Sequence, residues 1–395
     1  MNARLRHLPS SARRRLCRVG LLLTIGMPMA AAAARSEAVV TTSVSAQAWR
    51  LKSPDGAVQT RLEQFAVPVV ASVPLGAGLD VVLTSAYGAS RLRASSDPEV
   101  TLSGSMSITG ELFWRSPGRH LLVELGGAPE GGRRALTVDE YPLLQWVRQP
   151  TLGFELPHYG QGAVASASIT WVREPSDRFQ WSLGIGGVKR QPYLLVTDEG
   201  EYRPASELSA TLGLGLSRVR AGAPPARAQI DATVRLLGPD RIAGTTIYHE
   251  RTVGDVRVTL AIPTESGIWE VDGRAIAGAG AEMFSTIFPD APPDRVHSTY
   301  RGVFRLSYER EFARRGTIGG YSEGRLVGGS DELFQRGWTL DVGPSLGWTL
   351  WPGWSVRANG MLGVGGLRGG DGWPESRASG GGITLALVAT GGHER

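Results

Sequence analysis

The clearest pattern in the chain is an alternation of apolar and polar residues between Tyr300 and Arg310. One set of alternate positions is mostly apolar, and it comprises Tyr300, Gly302, Phe304, Leu306 and Tyr308. The other set is largely polar, and it comprises Arg301, Val303, Arg305, Ser307 and Glu309. Successive side chains of a strand point to opposite faces, so this segment predicts a strand with one apolar and one charged face. A strand that crosses a membrane in a barrel has this pattern, although an edge strand of a soluble β-sandwich alternates in the same way.

The same alternation recurs along most of the chain. It returns in about fourteen segments, each near the ~10 residues that a tilted strand needs to cross a bilayer. Trp348, Trp351 and Trp354 surround one hairpin, as expected of an aromatic girdle at a membrane interface. The repetition predicts an all-β protein, an antiparallel transmembrane β-barrel of about 12–16 strands, with residues 61–390 as the barrel domain.

Two long stretches interrupt the alternation. The first, Glu130–Gly162, contains a possible short helix over Val138–Arg148 with apolar residues on one side. In a barrel it would be an external loop or a piece folded into the mouth, and we favour an ordinary amphipathic helix on the surface. The second is Met283–His297, which contains three prolines. In a barrel that does not conduct, both loops would serve as contact surfaces.

The N-terminus has the pattern of a secretory signal peptide over residues 1–34. Six arginines precede an apolar core at Val19–Met29, and small residues at Ala30–Ala34 offer a cleavage site. Cys17 precedes the apolar core, so it is not placed for lipid attachment. Residues 35–60 are polar and small, and we expect them to form an N-terminal tail.

Removal of the signal peptide changes the charge of the protein. Six of the 42 Lys and Arg residues would leave, and 36 would remain against 37 Asp and Glu. The basic pI of the whole chain therefore gives no indication of nucleic-acid binding. The mature chain would also contain no cysteine, which excludes thiol catalysis and cysteine metal sites.

The polar faces of the strands carry charges that a closed barrel would direct into a wet lumen. The lumen-facing candidates are Arg235, Arg257, Asp272, Arg274, Arg301, Arg305, Glu309 and Arg325. We expect the arginines, where they are unpaired, to disfavour cations in the lumen.

No catalytic, cofactor or metal site is predicted. His249-Glu250 and His297-Ser298 are the suggestive pairs, but neighbours in a strand point to opposite faces and cannot act together there. The sequence also lacks calcium-loop, paired-histidine and phosphate-loop motifs.

Several stretches carry a resemblance to known proteins. These are Phe65-Ala66-Val67-Pro68-Val69, Leu75-Gly76-Ala77-Gly78-Leu79, Val258–Thr264 and Leu236–Arg241. The chain resembles Gram-negative outer-membrane β-barrels and, more loosely, is similar to FadL-type transporters and to the barrels associated with phenol degradation. The resemblance implies a cell outer-membrane location. Two features depart from it: residues 36–60 lack the Asn-Pro-Ala plug motif, and the last strand ends near Val388-Ala389 without an aromatic residue.

These observations lead to three hypotheses. The favoured one is an outer-membrane channel or transporter that is not an enzyme, with membrane lipid and an unidentified small solute or hydrophobic compound as its partners. The second is a structural or surface-exposed barrel that conducts nothing. The third is a soluble secreted β-protein that binds sugar or lipid.

Overall fold

The computed structural model describes most of the chain. The described residues are 37–56, 59–94, 98–106, 108–156, 159–197, 200–220, 223–285, 292–296, 300–328, 334–369 and 375–391. The predicted signal peptide and His297 lie outside these ranges.

Strands make up 77% of the described chain, and one short helix interrupts them. In chain order the elements are β1 (Ala38–Lys52), β2 (Gln59–Gly76), β3 (Leu79–Ala94), β4 (Val100–Ser105), β5 (Thr109–Arg115), β6 (Leu121–Ala128), β7 (Gly131–Gly132), α1 (Glu140–Arg148), β8 (Gly160–Gln161), β9 (Val164–Ser176), β10 (Phe179–Arg190), β11 (Tyr193–Leu194), β12 (Glu201–Arg203), β13 (Glu207–Arg220), β14 (Ala223–Leu237), β15 (Asp240–Ile242), β16 (Thr245–Glu250), β17 (Thr252–Pro263), β18 (Ile268–Gly278), β19 (Ala281–Met283), β20 (Asp294–Val296), β21 (Tyr300–Ala313), β22 (Gly316–Gly328), β23 (Phe334–Trp351), β24 (Trp354–Gly369) and β25 (Ser376–Gly391).

Seventeen of these strands form one antiparallel sheet that closes on itself. Each wall strand pairs with the next wall strand in the chain, and β25 pairs with β1 from Ala38↔Gly391 to Lys52↔Arg377. β4 and β5 both pair with β3 and occupy one position in the wall, so the barrel has sixteen strand positions. The closed antiparallel barrel predicted from the sequence is confirmed, at the upper limit of the predicted strand number.

The N-terminal region differs from its prediction. We expected residues 35–60 to be a tail, but Ala38–Lys52 forms β1, which joins the first and last parts of the wall. The small residues of β1 hid the alternation, yet Val40 and Val44 are exposed on one face while Val39 and Thr41 are buried on the other. Because a barrel closes only when every strand edge is paired, β1 is essential to the architecture.

Connections between the wall strands differ at the two ends of the barrel. Short turns, such as Ala77–Gly78 and Pro352–Gly353, lie at the end that also holds both ends of the described chain, and we name this the turn end. Longer connections lie at the opposite end, named the loop end. At the loop end β11, β12, β15, β16, β19 and β20 form a separate small sheet, the loop sheet. Two of its strands fall within or beside Met283–His297, which was expected to be irregular throughout.

The outer face of the wall is apolar and carries aromatic residues near both ends. β21 exposes Tyr300 at the loop end and Phe312 at the turn end, with Phe304 between them. Trp269 and Tyr308 contact each other near the turn end, with ring centroids 4.7 Å apart. On β21, Tyr300 is eight residues from Tyr308 and twelve residues from Phe312. On a tilted strand these separations span roughly 20–30 Å, which is the height of the apolar band of a membrane barrel. Among the described residues, no helix is long and apolar enough to cross a membrane.

Candidate functional site

The connection between β6 and β9 folds into the barrel and identifies the inner face of the wall. Its backbone accepts hydrogen bonds from Gln47 on β1 at Leu152 (3.1 Å) and from Thr339 on β23 at Thr151 (2.6 Å). Gln64 on β2 exchanges two hydrogen bonds with the backbone of Leu156, at 3.0 and 2.9 Å. Strands that are far apart along the chain converge on this one segment, so it lies in the lumen. We name Thr137–Leu156 the plug.

The apolar side of α1 attaches the plug to the wall. Leu143, Leu144, Trp146 and Val147 are buried and belong to one core cluster with Trp49 of β1. The same cluster contains further wall residues on β1 to β4, β24 and β25, namely Leu51, Leu62, Ala66, Ala86, Leu102, Leu367 and Ala378. The helix predicted near Val138–Arg148 therefore exists, but its placement on the surface was wrong. Its apolar face packs inside the barrel because the inner wall on this side is itself apolar.

The start of α1 is stabilised by its own side chains. The Glu140 carboxylate accepts a hydrogen bond from the Thr137 backbone N–H at 3.1 Å, and the Thr137 hydroxyl accepts one from the Glu140 N–H at 3.3 Å. This reciprocal arrangement is a capping box. Arg133 forms an ion pair with the same carboxylate. The capping residues thus fix where the plug leaves the connection and turns into the helix.

A buried charge cluster lies where the plug meets the other side of the wall. Arg325 on β22 forms ion pairs with Glu323, at 2.6 Å, and with Asp341 on β23. Asp341 is fully buried. Gly153 of the plug has φ +62°, and a Cβ there would overlap the Arg325 guanidinium. Because glycine adopts this left-handed conformation without a side chain, the plug approaches the charge cluster closely.

The charge cluster continues as a row of ion pairs along the inner face of β14 to β24. Its ion pairs are Arg235–Asp255 (3.2 Å), Arg274–Asp255 (2.5 Å), Arg257–Asp272 (2.7 Å), Arg305–Glu323 (3.1 Å) and Arg357–Glu309 (3.1 Å). The register explains these contacts, because residues paired across adjacent strands share a face, as in Asp272↔Arg305 and Arg305↔Glu323. We name this row the charged wall. Seven of the eight residues selected from the sequence take part in these ion pairs or in those of Arg325.

Arg301 is the exception among the eight candidates. Its side chain is exposed near the loop end, and no carboxylate of the described residues lies within ion-pair distance of it. Glu250 at the end of β16 interacts electrostatically with Arg301. Burial raises the pKa of Glu250, and the positive charges of Arg301 and Arg235 oppose this increase. Among the eight candidates, Arg301 is therefore the arginine to which the expectation for unpaired charges applies.

A polar cleft lies at the loop end, where the plug, the wall and the loop sheet meet. It is lined by Arg148 of α1, Arg190 of β10 and the tyrosines Tyr193 and Tyr202, whose rings contact edge to face at 5.7 Å. Burial raises the pKa of both tyrosines, so both hydroxyls stay protonated and can donate hydrogen bonds. Just before the plug, the backbone N–H groups of Ala135 and Leu136 donate hydrogen bonds to the carbonyl oxygens of Leu194 and Leu195. The cleft is thus part of one connected structure with the plug.

Some residues of the site could not be selected from the sequence. Gln47 and Trp49 fall in the segment that we expected to be a tail, and Gln64 and Thr339 have no charge to attract notice. Their role appears only when the plug is in place. His249, one of the histidines considered for catalysis, contacts the backbone carbonyl of Leu237 at 3.2 Å. No cluster of three potential metal ligands occurs among the described residues.

Comparison with known proteins gives distant structural likenesses. No protein-family model and no curated protein sequence matches the chain. Solved structures with a similar shape include the outer membrane protein OpdK from Pseudomonas aeruginosa (9% identity, 88% of this chain and 99% of that chain covered, TM-score 0.40). Others are OccK2 (OpdF) from the same organism (12% identity, 89% and 98% covered, TM-score 0.44) and Pseudomonas putida OprB (10%, 89% and 92%, TM-score 0.45). The closed barrel is established by its own strand pairing. The finer resemblance to FadL-type and phenol-degradation barrels is not supported.

Proposed function

We propose that this protein is a passive channel for small polar solutes in the outer membrane of a Gram-negative cell. The observation that carries the proposal is the contrast between the two faces of one closed sheet. The outer face exposes apolar and aromatic side chains, whereas the inner face holds the charged wall. Barrels of this size leave room for an aqueous path, and the plug narrows that path on one side.

A membrane location accounts for the outer face better than a soluble one. Leu208, Ile185 and Leu362 are each at least 66% exposed, and they belong to a belt that continues around the barrel. A soluble protein would place such a belt in water, where contiguous apolar surface is unfavourable. Closure of the sheet pairs the strand edges, which a lipid environment requires. The predicted signal peptide is consistent with export to this membrane.

Polar solutes fit the lumen better than hydrophobic compounds. The charged wall lines the lumen and meets the plug at Gly153, and its arginines and carboxylates pair with one another. The opposite inner wall adds hydroxyl groups, among them Ser43, Ser45, Thr84, Thr170, Ser182 and Thr211. A hydrophobic compound would have to displace water from these groups without replacing their hydrogen bonds. Complexes of similar-shaped barrels contain glucuronate in OccK2 and vanillate in OpdK, which makes these two compounds convenient first probes.

The first experiment is the mobility of the protein in SDS gels before and after boiling, followed by conductance in planar bilayers. A closed barrel keeps its hydrogen bonds in SDS until it is heated, so we expect a heat-shifted band and discrete conductance steps. Swelling of liposomes in small sugars and organic acids would then give the size and charge of permeating solutes. A band that does not shift and is extracted by salt alone would contradict the membrane location and favour a soluble binding protein.

A barrel that is closed by its plug is the second candidate. The core cluster runs without interruption from the wall into α1, so the plug is packed as firmly as a protein interior. A heat-shifted band without conductance would support this candidate. Conductance that appears only after the plug is loosened would show that the plug controls the path.

A further inference from the structure

The outer face of the barrel carries a group of basic residues at the loop end of four adjacent strands. We name this group the basic rim, and it consists of Arg50, Lys52, Arg61, Arg91, Arg93 and Arg377. These residues alternate with buried neighbours on the inner face, such as Leu51 and Leu62. The arginine side chains at 61, 91 and 93 are 45%, 43% and 48% exposed. The basic rim therefore points away from the lumen.

Strand register places several of these cations directly beside one another. In the strand register, Arg50 lies opposite Arg61, Arg61 lies opposite Arg93, and Lys52 lies opposite Arg377. Directly opposed side chains lie about 4.5–5.5 Å apart at Cβ, and like charges in such positions repel. Three arginines in one row are unfavourable unless anions of some kind lie between or above them.

The protein supplies only part of the required negative charge. Glu63 contacts Arg61 at 2.5 Å, and Glu99 contacts Arg91 at 2.9 Å and also pairs with Arg93. Within the described residues, no carboxylate lies at ion-pair distance from Arg50, Lys52 or Arg377. In the part of the chain that the structure describes, six cations thus share two bound carboxylates.

The basic rim is confined to one side of the barrel. Beside it, Arg336 on β23 and Arg368 on β24 add two further basic residues on the outer face at the loop end. Along the described wall strands from β4 to β22, Lys189 is the only basic side chain on the outer face at the loop end. There the outer face remains apolar up to the strand ends, as at Leu208 and Leu236.

The height of the basic rim relates it to the membrane. On β2, the outer positions beyond Glu63 are Phe65, Val69 and Val73, which are exposed and apolar. The cations therefore lie at the loop-end border of the apolar band, where lipid acyl chains meet their head groups. A ligand held there would place its apolar part on the band and its charged part on the basic rim.

We propose that the basic rim binds the phosphate groups of a phosphorylated glycolipid in the outer leaflet. The guanidinium fork pairs with phosphate through two parallel hydrogen bonds. Two strand spacings, about 10 Å, separate Arg50 from Arg93, which suits a lipid with two phosphates better than one with a single phosphate. The inference rests on the proposed outer-membrane location, in which the longer connections of a barrel face outward and the loop end therefore meets the outer leaflet. It is independent of conductance.

Native mass spectrometry of the detergent-solubilised protein tests the inference with bisphosphorylated lipid A, dephosphorylated lipid A and phosphatidylglycerol as probes. The test variant is R50E/R61E/R93E. The matched control is R173E/R218E/R310E, which makes the same change of charge on exposed outer-face residues at the turn end. R50Q/R61Q/R93Q removes the positive charge without adding a negative one, and the heat-shifted band verifies that each variant is folded.

We expect the amount of bisphosphorylated lipid A bound to the test variant to fall by about tenfold or more relative to the parent protein. The control variant should bind as much as the parent does. Dephosphorylated lipid A and phosphatidylglycerol should compete weakly, and added salt should weaken binding because the cations are exposed. Equal losses in test and control variants, or equal competition by either of the other lipids, would overturn the inference. Unchanged conductance in the test variant would separate this result from the proposed channel function.

Discussion

The guanidinium of Arg325 lies directly against the backbone of Gly153, so the plug and the charged wall meet at these two residues. Arg325 is held there by Glu323 and by the fully buried Asp341. A buried arginine that loses one acid leaves an uncompensated charge, which makes this contact sensitive to small changes.

Gly153→Ala should loosen the plug and increase conductance. The added Cβ would displace the Arg325 guanidinium, and alanine at φ +62° would also cost about 1–2 kcal/mol. Single-channel recordings should show larger or more variable conductance steps. The matched control is Gly56→Ala, because Gly56 has φ +73° but has open space around its Cβ position. Equal conductance changes in both variants would indicate backbone strain in general and not displacement of Arg325.

Arg301→Gln should make the channel less favourable to anions. Arg301 is the lumen-facing candidate without an ion pair among the described residues, so acids balance its charge less closely than they balance the charges of the paired arginines. The reversal potential in a salt gradient should shift towards the value expected for a cation-selective channel. The double variant Arg257→Gln/Asp272→Asn removes both members of an ion pair and leaves the net charge unchanged. We expect little shift in the double variant, and a shift as large as that of Arg301→Gln would refute the assignment.

Gln64→Ala should release the end of the plug without opening the barrel wall. The change removes both hydrogen bonds to Leu156, and each buried group left unsatisfied costs about 1–3 kcal/mol. Hydrogen exchange at Leu156 and proteolysis between residues 149 and 156 should become faster, while the SDS heat shift remains. Gln229→Ala is the control, since Gln229 lies on the inner face of β14 and bonds Asp231, away from the plug. The same increase in both variants would argue against a specific role for Gln64.

Trp49→Ala should lower the temperature at which the SDS-resistant band disappears. Trp49 is fully buried, and its ring packs against Gly363 and Gly380 on β24 and β25 beside the seam where β1 closes the barrel. Large-to-small changes of this type cost about 3–5 kcal/mol. Trp338→Ala provides the comparison, because Trp338 is 50% exposed on the outer face. If the two variants unfold at the same temperature, Trp49 does not stabilise the seam.

The alternation of apolar and polar residues was sufficient to predict the barrel and most of its wall. It succeeds at Tyr300–Arg310, where each face of the strand meets one environment along its whole length. It fails at Ala38–Lys52, because Ser, Thr and Ala fit either face and leave little contrast. Trp49 was the available signal there, since a tryptophan in a polar tail has no apolar surface to pack against.

The placement of the plug depended on contacts that no local pattern records. The apolar side of α1 would suit a surface helix equally well, and the hydrogen bonds that decide its position come from Gln47, Gln64 and Thr339 on three strands. The first and last of these residues are 292 positions apart in the chain. Only closure of the barrel brings them to one place.

The sequence by itself determined that the protein is an antiparallel barrel and which faces of its strands carry charge. These properties follow from a two-residue period that each strand expresses locally. Tertiary structure alone decided that β1 closes the wall, that the plug enters the lumen, and that seven charged candidates are paired while Arg301 has no ion pair among the described residues. The physical reason is that ion pairing and plug packing depend on register between strands and on distances across the barrel, which arise only when the sheet has closed.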